Sequence, residues 1–371
     1  MKQKKKKTVC FFSGDITRCG GTERVSTIIA NELAKRGEYQ VMFLSIVEQN
    51  DFPAFYILPE INRYVLRDNG KWIQPGLGYL PLVPALRRFF IRYSIDIIVD
   101  IDIVLDALSL PASVNHKVKI ISWEHFHYYY EQKNIYRRMI LRFSALFSDY
   151  IITLTEQDKE NFRKKLHRYN RITAVYNPID TEMAGNIDGS WSIAKEKMLI
   201  TVGSFNKRKG TDMIAQVIPD ILCKYKEWKW YFLGDGEYRE VLEEVVCKYH
   251  LEEQLILTGN VPNVEDYLKR ASIYIMSSRI EGLPMCLLEA KAFRIPCISF
   301  DIQTGPSEII INGVNGFLIP PFDLSMMMQK IILLIENEDL RSNFSKKMKI
   351  GLEKFQLESI ILKWEQLLEF I

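Results

Sequence analysis

At 371 residues the chain is longer than one hydrophobic core usually supports, so two domains are expected. No run of about 18 apolar residues occurs, which argues against a membrane-spanning helix. The net charge is only +3, and the six cysteines show no paired C-x-x-C spacing, so neither zinc nor a disulfide framework is indicated.

The chain starts with a basic stretch, Lys2 to Lys7. Only Thr8 to Phe12 follow as an apolar segment before Ser13-Gly14-Asp15, too short for the core of a signal peptide, so cytoplasmic location is expected. The run over 9–12 is the first predicted strand, and it leads through Cys19-Gly20-Gly21-Thr22-Glu23-Arg24 into a helix predicted over 22–36 from Val25, Ile28, Ile29 and Leu33. Further strands are predicted over 41–46, 97–101, 118–122, 150–154 and 172–176, before a linker at Asn177-Pro178. A second series covers 198–202, 230–233, 255–258, 273–276 and 296–300, with helices over 211–222, 237–249 and 284–293. Near-continuous apolar strands alternating with helices read as two parallel sheets, each wrapped by helices. Charge divides unevenly: residues 1–178 hold 27 Lys+Arg against 18 Asp+Glu, a net of +9, and the remainder holds 22 against 28, a net of −6. A basic first half suggests an anionic surface or substrate.

Two glutamates eight residues apart, Glu281 and Glu289, carry the sharpest signal. Pro284 between them suits a helix start, which puts Glu289 in the second turn and Glu281 on the preceding loop. Free N–H groups at such an N-terminus make an anion site. Carboxylates beside an anion site suit a ligand bearing both phosphates and sugar hydroxyls, as a nucleotide-sugar does. The plainer reading, two exposed glutamates flanking a helix, is favoured by spacing alone. Upstream, the strand over 198–202 runs into Gly203-Ser204-Phe205-Asn206-Lys207-Arg208-Lys209-Gly210, a glycine turn and cationic cluster that make a diphosphate cradle. Neither this loop nor Gly20-Gly21 matches Gly-x-Gly-x-x-Gly, so no nicotinamide or flavin cofactor is expected. The segment Phe232-Leu233-Gly234-Asp235-Gly236 reads equally as a tight turn or a ligand loop.

The run Glu281-Gly282-Leu283-Pro284-Met285-Cys286-Leu287-Leu288-Glu289, with Thr304-Gly305-Pro306-Ser307-Glu308 and Asn312-Gly313-Val314-Asn315-Gly316-Phe317-Leu318, resembles the signature of glycosyltransferase family 4. Gly20 to Arg24 is similar to the family's Gly-Gly-x-Glu-Arg loop, and Tyr176 to Asp180 to its interdomain Tyr-Asn-Pro-Ile-Asp segment. The resemblance implies a GT-B fold: two Rossmann-like α/β domains facing an interdomain cleft, here 1–178 for the acceptor and 179–356 for the nucleotide-sugar. A final helix over 357–371 would pack back on the first domain. It also implies a retaining hexosyltransferase (EC 2.4.1.-) that builds a bacterial surface polysaccharide or lipid-linked glycan without a metal. The donor would be a UDP-sugar.

On this resemblance Glu289 holds the ribose hydroxyls, Lys209 stabilises the leaving diphosphate, and Glu281 bonds the transferred sugar. Amides of Gly20, Gly21 and of Leu283 to Met285 add donors, with Gly203, Gly282, Pro284 and Arg208 lining the same site. Asn263, at the end of the loop from Gly259, is placed by the base. One departure is Ser204, where many relatives carry an arginine; either Lys207 or Arg208 replaces that cation, or the helix N-terminus suffices.

His125, in Ser122-Trp123-Glu124-His125-Phe126-His127 after a predicted strand, is a candidate for contact with the sugar or acceptor; His127 is read evenly between function and surface. Asp100-Ile101-Asp102 imitates a metal-binding Asp-x-Asp, but two carboxylates are too few ligands, so no metal is expected. Arg87-Arg88-Arg92 and Arg137-Arg138-Arg142 are basic clusters read either as solvated helix faces or as peripheral contact with an anionic membrane. No nucleic-acid partner and no cofactor are expected. The rival readings are a sugar-nucleotide epimerase, an inverting GT-B enzyme and a non-catalytic nucleotide-sugar-binding subunit.

Overall fold

Seven short, largely apolar segments in the first half pair into one parallel sheet. They are β1 (Lys7–Ser13), β2 (Tyr39–Ser45), β3 (Asn62–Val65), β4 (Ile97–Ile101), β5 (Lys119–Trp123), β6 (Tyr150–Thr153) and β7 (Ile172–Ala174), in the order β3-β2-β1-β4-β5-β6-β7. The computed structural model describes residues 6–67, 76–132, 134–179 and 195–371; Lys2 to Lys5 of the basic start and Asp180 of the Tyr176 segment lie outside the described residues. The chain forms two compact units, Met1–Asn177 with Glu358–Ile371, and Pro178–Leu357.

Runs such as Ile97-Ile98-Val99 are buried throughout because helices cover both faces of a parallel sheet. In the first unit, Phe11 of β1 and Trp123 of β5 pack on Trp364 of the helix Leu357–Phe370, with ring centroids 6.0 and 4.8 Å from it. Ile360, Ile361, Leu367 and Leu368 of that helix are buried as well. Arg36 pairs with its Glu365 at 2.9 Å, and Lys7 Nζ donates to the Leu368 carbonyl at 2.7 Å, a cation at a helix C-terminus.

The second unit holds β8 (Met198–Val202), β9 (Lys229–Leu233), β10 (Leu255–Gly259), β11 (Ile273–Met276), β12 (Cys297–Phe300) and β13 (Gly316–Ile319), ordered β10-β9-β8-β11-β12-β13 and all parallel. Trp230, Phe232, Ile275 and Ile298 form its core with the helices Thr211–Leu222 and Leu324–Glu336. In both sheets the strand order reverses, between β1 and β4 and between β8 and β11. The crevice at the carboxyl ends beside such a reversal is where open α/β sheets take ligands. The loops following β8 and β11 lie at that reversal in the second sheet.

Candidate active site

The loop after β8 is built to approach its neighbours closely. Gly210 ends it in a left-handed conformation (φ +72°), and a Cβ there would stand 2.0 Å from the Ser277 carbonyl, so only glycine fits. Ser277, just past β11, donates back from its hydroxyl to the Lys209 carbonyl at 2.9 Å. Arg279 closes the same seam, its N–H on the Arg208 carbonyl at 2.8 Å and its guanidinium on Asp212 at 2.6 and 2.8 Å. The loops after β8 and β11 are thus one fixed unit.

Their side chains converge on Glu281. Lys209 Nζ lies 2.7 Å from one carboxylate oxygen and the Arg208 guanidinium 3.6 Å from the other. Glu281 is buried. Burial works to raise its pKa, yet Lys209 and Arg208 outweigh burial and hold it below the ordinary glutamate value. Glu281 in turn keeps Lys209 above the usual lysine range, despite desolvation and the repulsion of Arg208. At neutral pH the site therefore holds an ionised carboxylate between the Lys209 ammonium and the Arg208 guanidinium. Ser204 is exposed and so is Lys207; the second cation beside Glu281 is Arg208.

Behind this pair stand residues that spacing alone did not assign. Thr304 donates to the Glu281 carbonyl at 2.7 Å, and Gly305 (φ +100°) comes so close to Gly282 and Pro284 that a Cβ would meet both at 2.6 Å. The Thr-Gly-Pro motif thus buttresses the Glu281 loop. Pro284 is the N-cap of the helix Met285–Ala292, which begins one residue later than predicted and has neither a side-chain cap nor an acidic residue in its first turn. Leu283 is buried, and Glu289 sits buried in the second turn, close to Cys286 and Tyr274.

The glycine loops divide the labour. The Gly203 N–H is committed to the Leu233 carbonyl at 2.9 Å, and Phe205 N–H to the Asp235 carbonyl at 2.9 Å. A Cβ on Gly234 would stand 2.1 Å from the Gly203 carbonyl. The Gly234-Asp235-Gly236 segment therefore packs behind the Gly203 loop. Asn263 occupies the N-cap position of the helix Val264–Arg270, without a side-chain capping bond, on the rim of a depression of about 570 Å³ that also takes in Val261, Pro262 and Tyr267.

In the first unit, Gly20 is the N-cap and Gly21 the first residue of the helix Gly21–Lys35, with Glu23 buried and bonded by Arg18 at 2.5 Å. His125 follows β5, buried against Trp123 at 4.4 Å between ring centroids. Burial pushes it down to about 3, so it is neutral in use, and among the described residues its Nε2 has no hydrogen-bond partner. His127 is buried too. Asp100 and Asp102 part company: Asp100 accepts from Ser109 at 2.7 Å, whereas Asp102 caps the turn at Val104 and binds Arg137 at 2.9 Å. Among the described residues, Asp102, Glu124 and Glu131 come together, with Arg137 bonded to Asp102 and Glu131. This corrects the reading of Arg137 as part of a surface basic cluster, because a buried carboxylate needs a partner and Arg137 is turned inward to supply it.

These geometries sit within a wider likeness. The family description "Glycosyltransferase Family 4" matches residues 19–183, and "Glycosyl transferases group 1" matches 186–350. An uncharacterised glycosyltransferase of Haemophilus influenzae is 30% identical over 98% of this chain and 100% of its own length. The amylovoran biosynthesis glycosyltransferase AmsD of Erwinia amylovora is 27% identical over 95% and 97%. The fold superposes on Anabaena HepE, solved in complex with UDP, at a TM-score of 0.80 and 17% identity, covering 98% of this chain and 100% of that one. With both sheets in the Rossmann order and matches along nearly its whole length, this chain belongs to glycosyltransferase family 4 and has the GT-B fold.

Proposed function

We propose that the protein transfers a hexose or N-acetylhexosamine, with retention, from a UDP-sugar to a glycan or lipid-linked glycan during bacterial surface polysaccharide synthesis (O-antigen, capsule or exopolysaccharide). The observation that carries this is the Lys209–Glu281–Arg208 constellation in front of an uncapped helix N-terminus. Two cations and a helix end suit a diphosphate leaving group, and an ionised glutamate that cannot act as an acid suits sugar hydroxyls. UDP in the Anabaena neighbour and the amylovoran role of the Erwinia relative support the donor and pathway class.

The second unit holds the donor, with Glu289 on the ribose, Lys209 and Arg208 on the phosphates and Glu281 on the sugar. The first unit holds the acceptor, with neutral His125 offering Nε2 as a hydrogen-bonding atom, and contacts an anionic membrane peripherally. Charge developing on the leaving diphosphate is stabilised by side-chain cations, so the reaction is expected to run in excess chelator. Attack by the acceptor hydroxyl on the face the diphosphate leaves accounts for retention. Purified protein, a panel of UDP-sugars and a soluble acceptor test the reading, with the anomeric coupling of the product read by NMR. An inverted product sinks the retaining mechanism, and absence of both transfer and donor hydrolysis across the panel sinks the donor class.

A further inference from the structure

The helix Ile135–Phe147 is inside out. It turns Arg137, Leu141 and Ser144 toward the protein, where Ser144 and Leu141 are fully buried and Arg137 binds Asp102 and Glu131. Outward it presents Ile135, Met139, Phe143, Leu146 and Phe147, each between 50% and 75% exposed. Positions 135, 139, 143 and 146 recur at the helical period, so they form one stripe, with Phe143 and Phe147 stacked 5.9 Å apart at its end. A monomeric surface rarely leaves so continuous an apolar stripe in water.

The charge around the stripe names its occupant. The helix carries no acidic residue, and Arg138 and Arg142 flank the stripe. The helix Asp106–Ser113 packs against it and in turn against Val83–Arg92, which also lacks acidic residues and carries Arg87, Arg88 and the exposed Arg92. At 13 residues the helix is about 20 Å long, too short to cross a hydrocarbon core of about 30 Å. An apolar face edged by arginines on a short helix is suited to lie in the plane of an anionic bilayer, side chains among the acyl chains and guanidinium groups at the phosphates.

We infer that the helix Ile135–Phe147 is a membrane-surface helix whose stripe Ile135-Met139-Phe143-Leu146-Phe147 inserts into the interface of an anionic lipid bilayer, with Arg138 and Arg142 on the lipid phosphates. This rests on the proposed peripheral contact with a membrane and adds the element that makes it. It removes Arg137 from that contact.

The test is flotation of the full-length protein with phosphatidylcholine vesicles with and without phosphatidylglycerol, for wild type, F143S/L146S/F147S and R138Q/R142Q. Wild type is expected to bind the anionic vesicles and to keep part of that binding in high salt, where Coulomb attraction is screened. The triple serine variant is expected to lose binding by about tenfold or more, while keeping its thermal transition and its turnover of a soluble acceptor, since the three side chains are exposed. The arginine variant is expected to lose the preference for anionic lipid. Bromolipid quenching of a tryptophan introduced by F143W is expected to place the stripe in the bilayer. If the triple variant binds as wild type does, the helix is not the inserting element, although a charge-driven peripheral contact stands. If wild type binds neither vesicle, both fall. If wild type self-associates without lipid and the triple variant does not, the stripe covers a second copy and the inference is overturned.

Discussion

Glu281 shows how a single carboxylate can set the state of a site. Its two cationic neighbours keep it ionised, and it in turn holds Lys209 charged and in place. Replacing Lys209 by Ala removes a preorganised charge and leaves Glu281 to Arg208 alone, so kcat is expected to fall by about 10²-fold or more. Steady-state kinetics at saturating donor decide this; an unchanged kcat takes Lys209 out of the chemistry. Glu289→Gln should act differently, raising donor KM with less change in kcat, because a ribose contact serves ground and transition states alike. An unchanged KM in a folded Glu289→Gln protein removes it from the donor site. His125 supplies a pH test. Its folded pKa of about 3 lies below the unfolded value, so the unfolded chain binds more protons between them. Stability from this source is fully present above about pH 6.5 and declines as pH falls toward 3, by up to about 1.4 kcal/mol per unit. Denaturant titrations of wild type and His125→Phe across that interval are expected to show a shallower slope in the variant; identical slopes count against a buried neutral imidazole.

Element by element, what was legible follows from how apolar and how long each segment is. The strands over 97–101, 198–202 and 273–276 match β4, β8 and β11 to the residue, because each is a mainly apolar run in the middle of a sheet. The strands that pattern did not reveal are β3 and β13, and both are four-residue edges. Asn62-Arg63-Tyr64-Val65 shows no apolar run, since an edge strand faces water on one side. In the second edge strand, Gly316–Ile319, the sequence shows only the end of a family motif, as far as Leu318. The structure gives that motif a mechanical meaning: a Cβ on Gly316 would stand 2.3 Å from the Cys297 carbonyl, and the Asn315 side chain accepts from Ile311 N–H at 2.8 Å. The motif seats β13 against β12. Site loops are legible as composition, a glycine among lysines, and Thr304 only as a member of a family motif, whereas Ser277 and Arg279 come from a distant segment and leave no local trace. Gly210→Ala tests the seam they form. With φ +72° and the Ser277 carbonyl in the way, it is expected to cost more than about 1 kcal/mol, read as a lowered Tm, and to weaken nucleotide binding with it. A Gly210→Ala protein as stable as wild type would mean that the two loops are not fixed to each other.

At the scale of the whole molecule the chain is not divided in sequence order. It leaves the first unit at Asn177 and re-enters it at Glu358, so the first fold is completed by the last 14 residues of the chain. Those residues are structural for the first unit: Trp364 sits fully buried between Phe11 of β1 and Trp123 of β5, beside the strand that leads to His125. Removing so large a side chain from a packed core typically costs about 3–5 kcal/mol. The second unit keeps its own core of Trp230, Phe232, Ile275 and Ile298 without that helix. Trp364→Ala is therefore expected to lower hydrogen-exchange protection across β1, β4 and β5 while β8, β9 and β11 keep theirs. UDP affinity, measured by calorimetry, should stay within a few-fold of wild type, and transfer to an acceptor should fall further than donor binding. The asymmetry is the content of the prediction, because a fold with one shared core would lose protection everywhere at once. Equal loss of protection in both sheets, or loss of UDP binding with the first sheet intact, would show that the two cores do not stand separately and that the donor site does not belong to the second alone.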